Sequence, residues 1–160
     1  MTASIQQRLC AQVEHCYQQA EAQLKQQFPR PEISFAMRGQ AAGAAYLQIN
    51  KLRFNLVLAK QNPTEFINQV VAHEVAHLLV WQLHGKVKPH GREWQRVMLG
   101  VFGLEPAVRH QFDVSAVKPQ TFRYRCNCQE HQLTIRRHNK VVRGQAQYQC
   151  RLCRSPLQLS

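Results

Sequence analysis

The segment His73-Glu74-Val75-Ala76-His77 constrains this chain more than any other feature, because it fits the pattern HExxH inside a stretch free of helix breakers. Residues 65–84 contain neither Gly nor Pro and read as one long helix, with start signals at Asn62, Pro63 and Thr64 and a stop at Gly85. Two histidines four positions apart lie within about 40° of each other on a helix, one turn apart, so both imidazoles can hold one metal ion. The glutamate between them falls beside such an ion, where it can take a proton from a water. Apolar residues surround the histidines on nearly all sides, which places the helix in the domain core. A buried helix carrying His, Glu and His needs a reason to keep polar groups there. The plainer alternative is a set of core histidines satisfied by hydrogen bonds, with Glu74 facing solvent.

A catalytic zinc usually takes three protein ligands and leaves one position open. His84 lies seven residues beyond His77 on nearly the same face, but about 10 Å further along the axis, too far to share an ion on an unbroken helix. After Gly85 the chain must turn, and residues 86–91 read as a loop that can fold back, so His90 is the preferred third ligand. Glu93 is the alternative, with an outer or structural role if His90 binds. Val80 and Leu83 stand where a metzincin would have Gly and His, which excludes that class.

The C-terminal part carries a second pattern. Cys126-x-Cys128 and Cys150-x-x-Cys153 are two close pairs with β-prone sequence between them, the sequence form of a zinc ribbon with four ligands around a structural ion. The first pair is tighter than the usual CxxC. His131 follows Cys128 by three positions and is a possible substitute ligand. So small a module buries too little apolar surface to fold alone, and zinc would supply much of its stability. Cys10 and Cys16 point to different faces of the first helix and read as plain reduced thiols.

His73-Glu74-Val75-Ala76-His77 followed by Pro89-His90-Gly91-Arg92-Glu93-Trp94 resembles the SprT family of zinc metalloprotease-like proteins, whose eukaryotic relative, the Spartan protease, degrades proteins crosslinked to DNA. The resemblance covers nearly the whole chain, including Tyr124-Arg125-Cys126-Asn127-Cys128 and Tyr148-Gln149-Cys150-Arg151-Leu152-Cys153. It implies zinc ligands at His73, His77 and His90, a catalytic Glu74 and a C-terminal zinc ribbon. The expected fold class is therefore α+β: a zincin-like metalloprotease domain over residues 1–117, followed by a small β zinc ribbon over residues 118–160.

Within the first domain, residues 4–28 read as a Gln-rich amphipathic helix ended by Pro29 and Pro31, and residues 33–36 alternate as a strand. Residues 41–47 and 48–55 suggest two more strands, and such an edge strand could hold an extended peptide beside a cleft. Residues 93–102 read as a second core helix, and 106–119 as a connecting region. No apolar run approaches the roughly 20 residues of a membrane span. The N-terminus lacks the apolar core of a secretory signal, so a cytoplasmic protein without membrane contact is expected, as a monomer. Six cysteines in that compartment are more at home reduced or on metal than in disulfides.

Charge adds a partner. Residues 118–160 hold nine Lys and Arg against one acidic residue, Glu130, a net of +8 out of +12 for the chain. Arg123, Arg125, Arg136, Arg137, Lys140 and Arg143, joined by Arg151 and Arg154, form a candidate surface for DNA or RNA through counterion release. Phe122, Tyr124 and Tyr148 are interleaved and could stack on bases if exposed. Two functions follow. In the first, a zinc peptidase acts on proteins associated with nucleic acid, with one catalytic and one structural Zn²⁺ and Glu74 as general base. Its oxyanion donor is not identifiable from sequence; Tyr46, Arg92 and Arg109 are the speculative candidates. In the second, a nucleic-acid-binding regulatory protein keeps a metal-stabilised core that cleaves little.

Overall fold

The computed structural model describes residues 3–109, 112 and 120–160. The chain divides into two compact units, Met1–Val117 and Lys118–Ser160, and each is described by itself.

The first unit opens with α1, Ile5–Leu24. Ser4 caps it in a reciprocal box with Gln7, and Lys25 closes it in the left-handed region at φ 55°. Leu9, Val13, Cys16, Tyr17 and Ala20 recur at helical spacing and form its buried stripe. The helix stops before the expected position 28. Beyond it Arg30 folds back to bond Glu14 and Glu21 at 2.8–3.0 Å, while its guanidinium lies over the Tyr17 ring.

Three short strands follow: β1 at Glu32–Ser34, β2 at Gly43–Tyr46 and β3 at Lys51–Phe54. They form a mixed sheet in the order β1-β3-β2, with β1 parallel and β2 antiparallel to β3. The two expected strands at 41–47 and 48–55 are thus shortened by a turn over residues 47–50. A short helix α2, Leu56–Gln61, is capped by Asn55. The predicted long helix then begins at Pro63 as three segments: α3 (Pro63–Glu65), a π-turn (Phe66–Val70) and α4 (Val71–His84). Pro63 occupies the first turn, and Gly85 ends the helix at φ 72°. Of α4, Val71, Ala72, Val75, Ala76, Leu78, Leu79 and Val80 are buried, so it runs through the core with α1 and the sheet packed on it. The second core helix is α5 (Arg92–Arg96) continued by a second π-turn, Val97–Val101. Residues 103–107 hold no helix or strand; of the rest of the expected connecting region, 110–111 and 113–119 lie outside the described residues.

In the second unit, β4 (Thr121–Arg125) pairs antiparallel with β5 (Glu130–Thr134) and with the short β6 (Gln158–Leu159). The stretch between the cysteine pairs departs from the expected all-β form, because α6, Ile135–Val142, follows β5 directly. Thr134 caps it by accepting from the Arg137 N–H. Only Tyr124, Leu133 and Cys150 are buried among the described residues of this unit. No described helix in either unit is long and apolar enough to cross a membrane.

Candidate metal centres

The first centre is built from α4 and the turn after it. His73 and His77 stand one turn apart on α4, and the chain reverses after Gly85 to bring back His90. Their three Nε2 atoms form a small triangle with sides of 3.3, 3.1 and 3.1 Å. Three imidazoles cannot satisfy one another by hydrogen bonds in such a ring, since each nitrogen either donates or accepts. A tetrahedral ion about 2.05 Å from each nitrogen would space them about 3.3 Å apart, so the arrangement fits zinc. Burial holds His73 down to about 4 and His77 to about 3, with the neighbouring histidines adding to both shifts, and burial also lowers His90. At neutral pH all three are uncharged imidazoles, the form that binds metal.

The surroundings fix each ring. The Ala107 backbone accepts a hydrogen bond from His73, whose Nε2 faces the other histidines, so Nδ1 is the donor. His90 sits in the left-handed region at φ 57°, a strained backbone for a non-glycine residue, and Gln95 Nε2 donates to its carbonyl at 3.1 Å. Trp94, 1 % exposed, lies against all three imidazoles with ring centroids 4.7–5.6 Å away, and its Nε1 donates to the His73 carbonyl at 3.2 Å. The two helices thus lock at the site. Sequence reasoning placed Trp94 in the motif after His90 and in the second core helix but gave it no role at the site, and it gave none to Gln95 or Ala107.

Glu74 is 8 % exposed, and burial pushes its carboxyl up to about 7. It lines a cleft of about 1310 Å³ together with His73, His77 and His90. The expectation of a solvent-facing glutamate in the plainer alternative therefore does not describe this site. Glu93 lies outside the three-histidine group, its carboxylate turned toward Gly91, and His84 at the end of α4 is outside it as well. Of the three speculative oxyanion donors, Arg109 lines the cleft. Tyr46 instead accepts from Arg53 Nη1 at 3.3 Å, and Arg92 is exposed at the start of α5.

The second centre joins two knuckles. Cys126, Cys128, Cys150 and Cys153 bring their sulfurs within 4.8 Å of one another, with Cys126–Cys128 at 3.4 Å and Cys128–Cys150 at 3.7 Å. A tetrahedral zinc with sulfurs at 2.3 Å asks for spacings of about 3.8 Å, and the four thiols fit it. His131 is not in the group of four; its Nε2 lies 3.3 Å from Cys126 Sγ. Ser155 ties the knuckles together, its hydroxyl accepting from the Asn127 N–H and lying 2.9 Å from Cys153 Sγ. Hydrogen bonds from the Ser155 side chain and backbone pull the Cys153 thiol down to about 5, whereas the bond to Cys126 pushes Cys128 up to about 12. Among the described residues neither Cys10 nor Cys16 joins a metal group; burial raises the Cys16 thiol to about 12, which makes it inert.

Around this centre the expected basic residues are spread over the surface. Arg123, Arg125, Arg136, Arg137, Lys140 and Arg143 are all exposed. The expected stacking aromatics are already engaged. Tyr124 is 1 % exposed with its hydroxyl 2.8 Å from His138 Nδ1, which removes it as a base platform. Phe122 is stacked on His138 at 3.7 Å, and the Arg137 guanidinium covers Tyr148 at 5.6 Å. Of the three rings only Tyr124 is core; Phe122 and Tyr148 are half-buried against these neighbours.

A three-imidazole group beside a buried carboxyl, joined in one chain to a four-thiol ribbon, defines a protein with two candidate metal centres on a mixed helix-and-sheet fold. The SprT-like family model matches residues 13–110, and the SprT-like zinc ribbon domain matches residues 120–160. This chain belongs to the SprT-like family. It is 50 % identical over 156 residues to Protein SprT of Shewanella oneidensis, covering 98 % of this chain and 100 % of that protein. Protein SprT of Vibrio parahaemolyticus is 49 % identical over 142 residues (89 % of this chain, 86 % of the relative), and that of Actinobacillus succinogenes 52 % over 143 residues (89 % and 84 %).

Proposed function

We propose that this chain is a zinc-dependent peptidase with a zincin-like core, acting on proteins associated with nucleic acid. The observation that carries the reading is the buried Glu74 carboxyl in a cleft shared with three neutral imidazoles. His73, His77 and His90 would hold the ion. Bound there, zinc supplies a Lewis acid for a peptide carbonyl and lowers the pKa of a water. A nearby cation favours the ionised form of Glu74, while burial keeps that carboxylate a stronger base than an exposed one. Glu74 then takes a proton from the attacking water and returns it to the leaving amine, so no net proton is gained or lost. His73 is held in the ligating tautomer by Ala107, and Trp94 excludes water from behind the rings.

In the same reading, the ribbon brings the cleft to its substrates through Arg123, Arg125, Arg136, Arg137, Lys140 and Arg143. The support is the net +8 of residues 118–160 and the exposure of these side chains. With the rings engaged internally, backbone phosphate contacts rather than base stacking would carry the affinity.

Two measurements test the reading. Cleavage of a DNA-binding protein, with and without DNA, is compared between wild type and Glu74→Gln with zinc content followed in parallel. Loss of about 100-fold or more with zinc retained is expected. Equal rates with zinc retained would leave the regulatory, weakly active alternative in its place. Nucleic-acid affinity should fall about a hundredfold between about 50 and 200 mM salt for roughly four phosphates engaged; a flat profile counts against the ribbon's role.

A further inference from the structure

Glu74 has a neighbour that no functional reading has used. In the alanine-rich run Ala41-Ala42-Gly43-Ala44-Ala45, one residue lacks even a methyl group, and it lies against the Glu74 side chain. A Cβ at position 43 would sit 3.1 Å from Glu74 Cγ and 3.3 Å from Glu74 Oε1, both closer than the ordinary 3.4–4 Å contact range. The same methyl would meet the Arg53 carbonyl oxygen at 3.2 Å. Gly43 does not have a positive φ, so it is needed for space and not for backbone conformation.

Neither partner can retreat. Gly43 opens β2 opposite Phe54 of β3, and the loop before it is clamped by the fully buried Asn55. Asn55 Nδ2 donates to the Gly39 carbonyl at 2.7 Å and to Ala41 at 3.1 Å, and its own N–H donates to Ala42 at 2.9 Å. Its Oδ1 accepts from Leu58, which anchors the clamp to α2. Across the gap, α4 is packed through the core and cannot shift as a body. An added methyl must therefore displace the Glu74 side chain by a few tenths of an ångström.

We infer that Gly43 is a positioning residue for Glu74, its missing side chain leaving the slot in which the carboxyl is aimed into the cleft, with Asn55 holding that slot open from behind. The kinetic half of this inference rests on the peptidase reading; the packing half stands without it. Misplacement of a reacting group by about 1 Å can lower turnover by about 100-fold, which sets the scale.

The test is a cycle of zinc-loaded full-length proteins: wild type, Gly43→Ala, Glu74→Ala and the double variant, with Glu74→Asp alone and combined with Gly43→Ala. Ala44→Ser, whose position pairs with Arg53 and does not line the cleft, controls for general disturbance of β2. The expected result for Gly43→Ala is a kcat about 10- to 100-fold lower with KM and zinc content unchanged. Combining it with Glu74→Asp, whose chain is one methylene shorter, should add little further loss. The Tm drop caused by Gly43→Ala should shrink in the Glu74→Ala background, and a Gly43→Ala protein that fails to fold should be rescued there. Full kcat in Gly43→Ala, or Tm losses that simply add, overturns the inference. Undiminished cleavage by Glu74→Ala would instead bring down the peptidase reading, and the Tm cycle would still decide whether the two side chains share one space.

Discussion

The two candidate metal centres are made in opposite ways. His73 and His77 are carried by α4 and His90 by the turn before α5, elements that would pack without them: α4 is lined by Val71, Val75, Leu78 and Leu79, and Trp94 sits under the rings as part of the same core. The four cysteines stand in a unit whose described buried side chains are only Tyr124, Leu133 and Cys150. In the first unit the fold builds the site. In the second, metal at the site would have to build the fold, because so little apolar surface is removed from water. Metal bound at both candidate centres would therefore have two separable jobs, and substitutions can tell them apart.

The largest difference is expected at the ligands themselves. Cys150→Ser should unfold the ribbon, since structural zinc in small modules supplies about 10–16 kcal/mol of apparent binding energy at neutral pH. Limited proteolysis would then cut freely within 120–160 while the first unit stays intact. His77→Ala should do the reverse, emptying one zinc equivalent with little change in the melting of either unit. A ribbon that stays protected in Cys150→Ser would break the comparison. Next comes Trp94→Ala, with an expected loss of about 3–5 kcal/mol from the first unit, measured by denaturant titration, and weakened zinc retention there only. A smaller effect is expected of Thr134→Ala, which removes the cap of α6 and should lower ribbon stability by about 1 kcal/mol; zinc release by a chelator should quicken correspondingly.

The smallest effect concerns pH and the first unit alone. Hydrogen bonds from Arg30, then from the Phe28 N–H, hold the Glu21 carboxyl down from 4.5 to about 2, and Arg30 lowers Glu14 as well. Because the folded value is the lower one, the stabilisation is complete above about 4.5 and is lost as pH falls toward about 2. Arg30→Gln should flatten the acid limb of Tm against pH in that window, and an unchanged limb would show the clamp to be inert. These groups are at the surface, so the change will be slight.

Legibility in the sequence followed the same division. The α4 helix was readable because Asn62, Pro63 and Gly85 punctuate a strongly apolar run, and the reach of an ideal helix was enough to separate His84 from His90. The π-turns at Phe66–Val70 and Val97–Val101 were not readable, since an inserted residue shifts the phase of the apolar face but the runs that follow are too apolar or too short to show it. In the ribbon, α6 was hidden because Ile135, Val141 and Val142 favour strands and none of the helix is buried. Thr134 was its one usable signal. Phe122, Tyr124 and Tyr148 could not be sorted by sequence into exposed and buried rings, because their interleaving with basic residues fits either face; only Tyr124 of the three is fully buried. Gly43 was read only as part of the strand at 41–47, because what it makes room for is thirty-one positions away and visible only in three dimensions.

The contact of Trp94 with all three imidazoles has an optical consequence. Its indole is a resident gauge of the first centre: a paramagnetic ion such as Co²⁺, seated among rings 4.7–5.6 Å from it, would quench its emission. With Trp81→Phe removing the other tryptophan, Trp94 would be the single tryptophan of the chain. Loading of the histidine centre could then be followed by fluorescence in the intact protein, with the four-thiol ribbon contributing no tryptophan signal of its own.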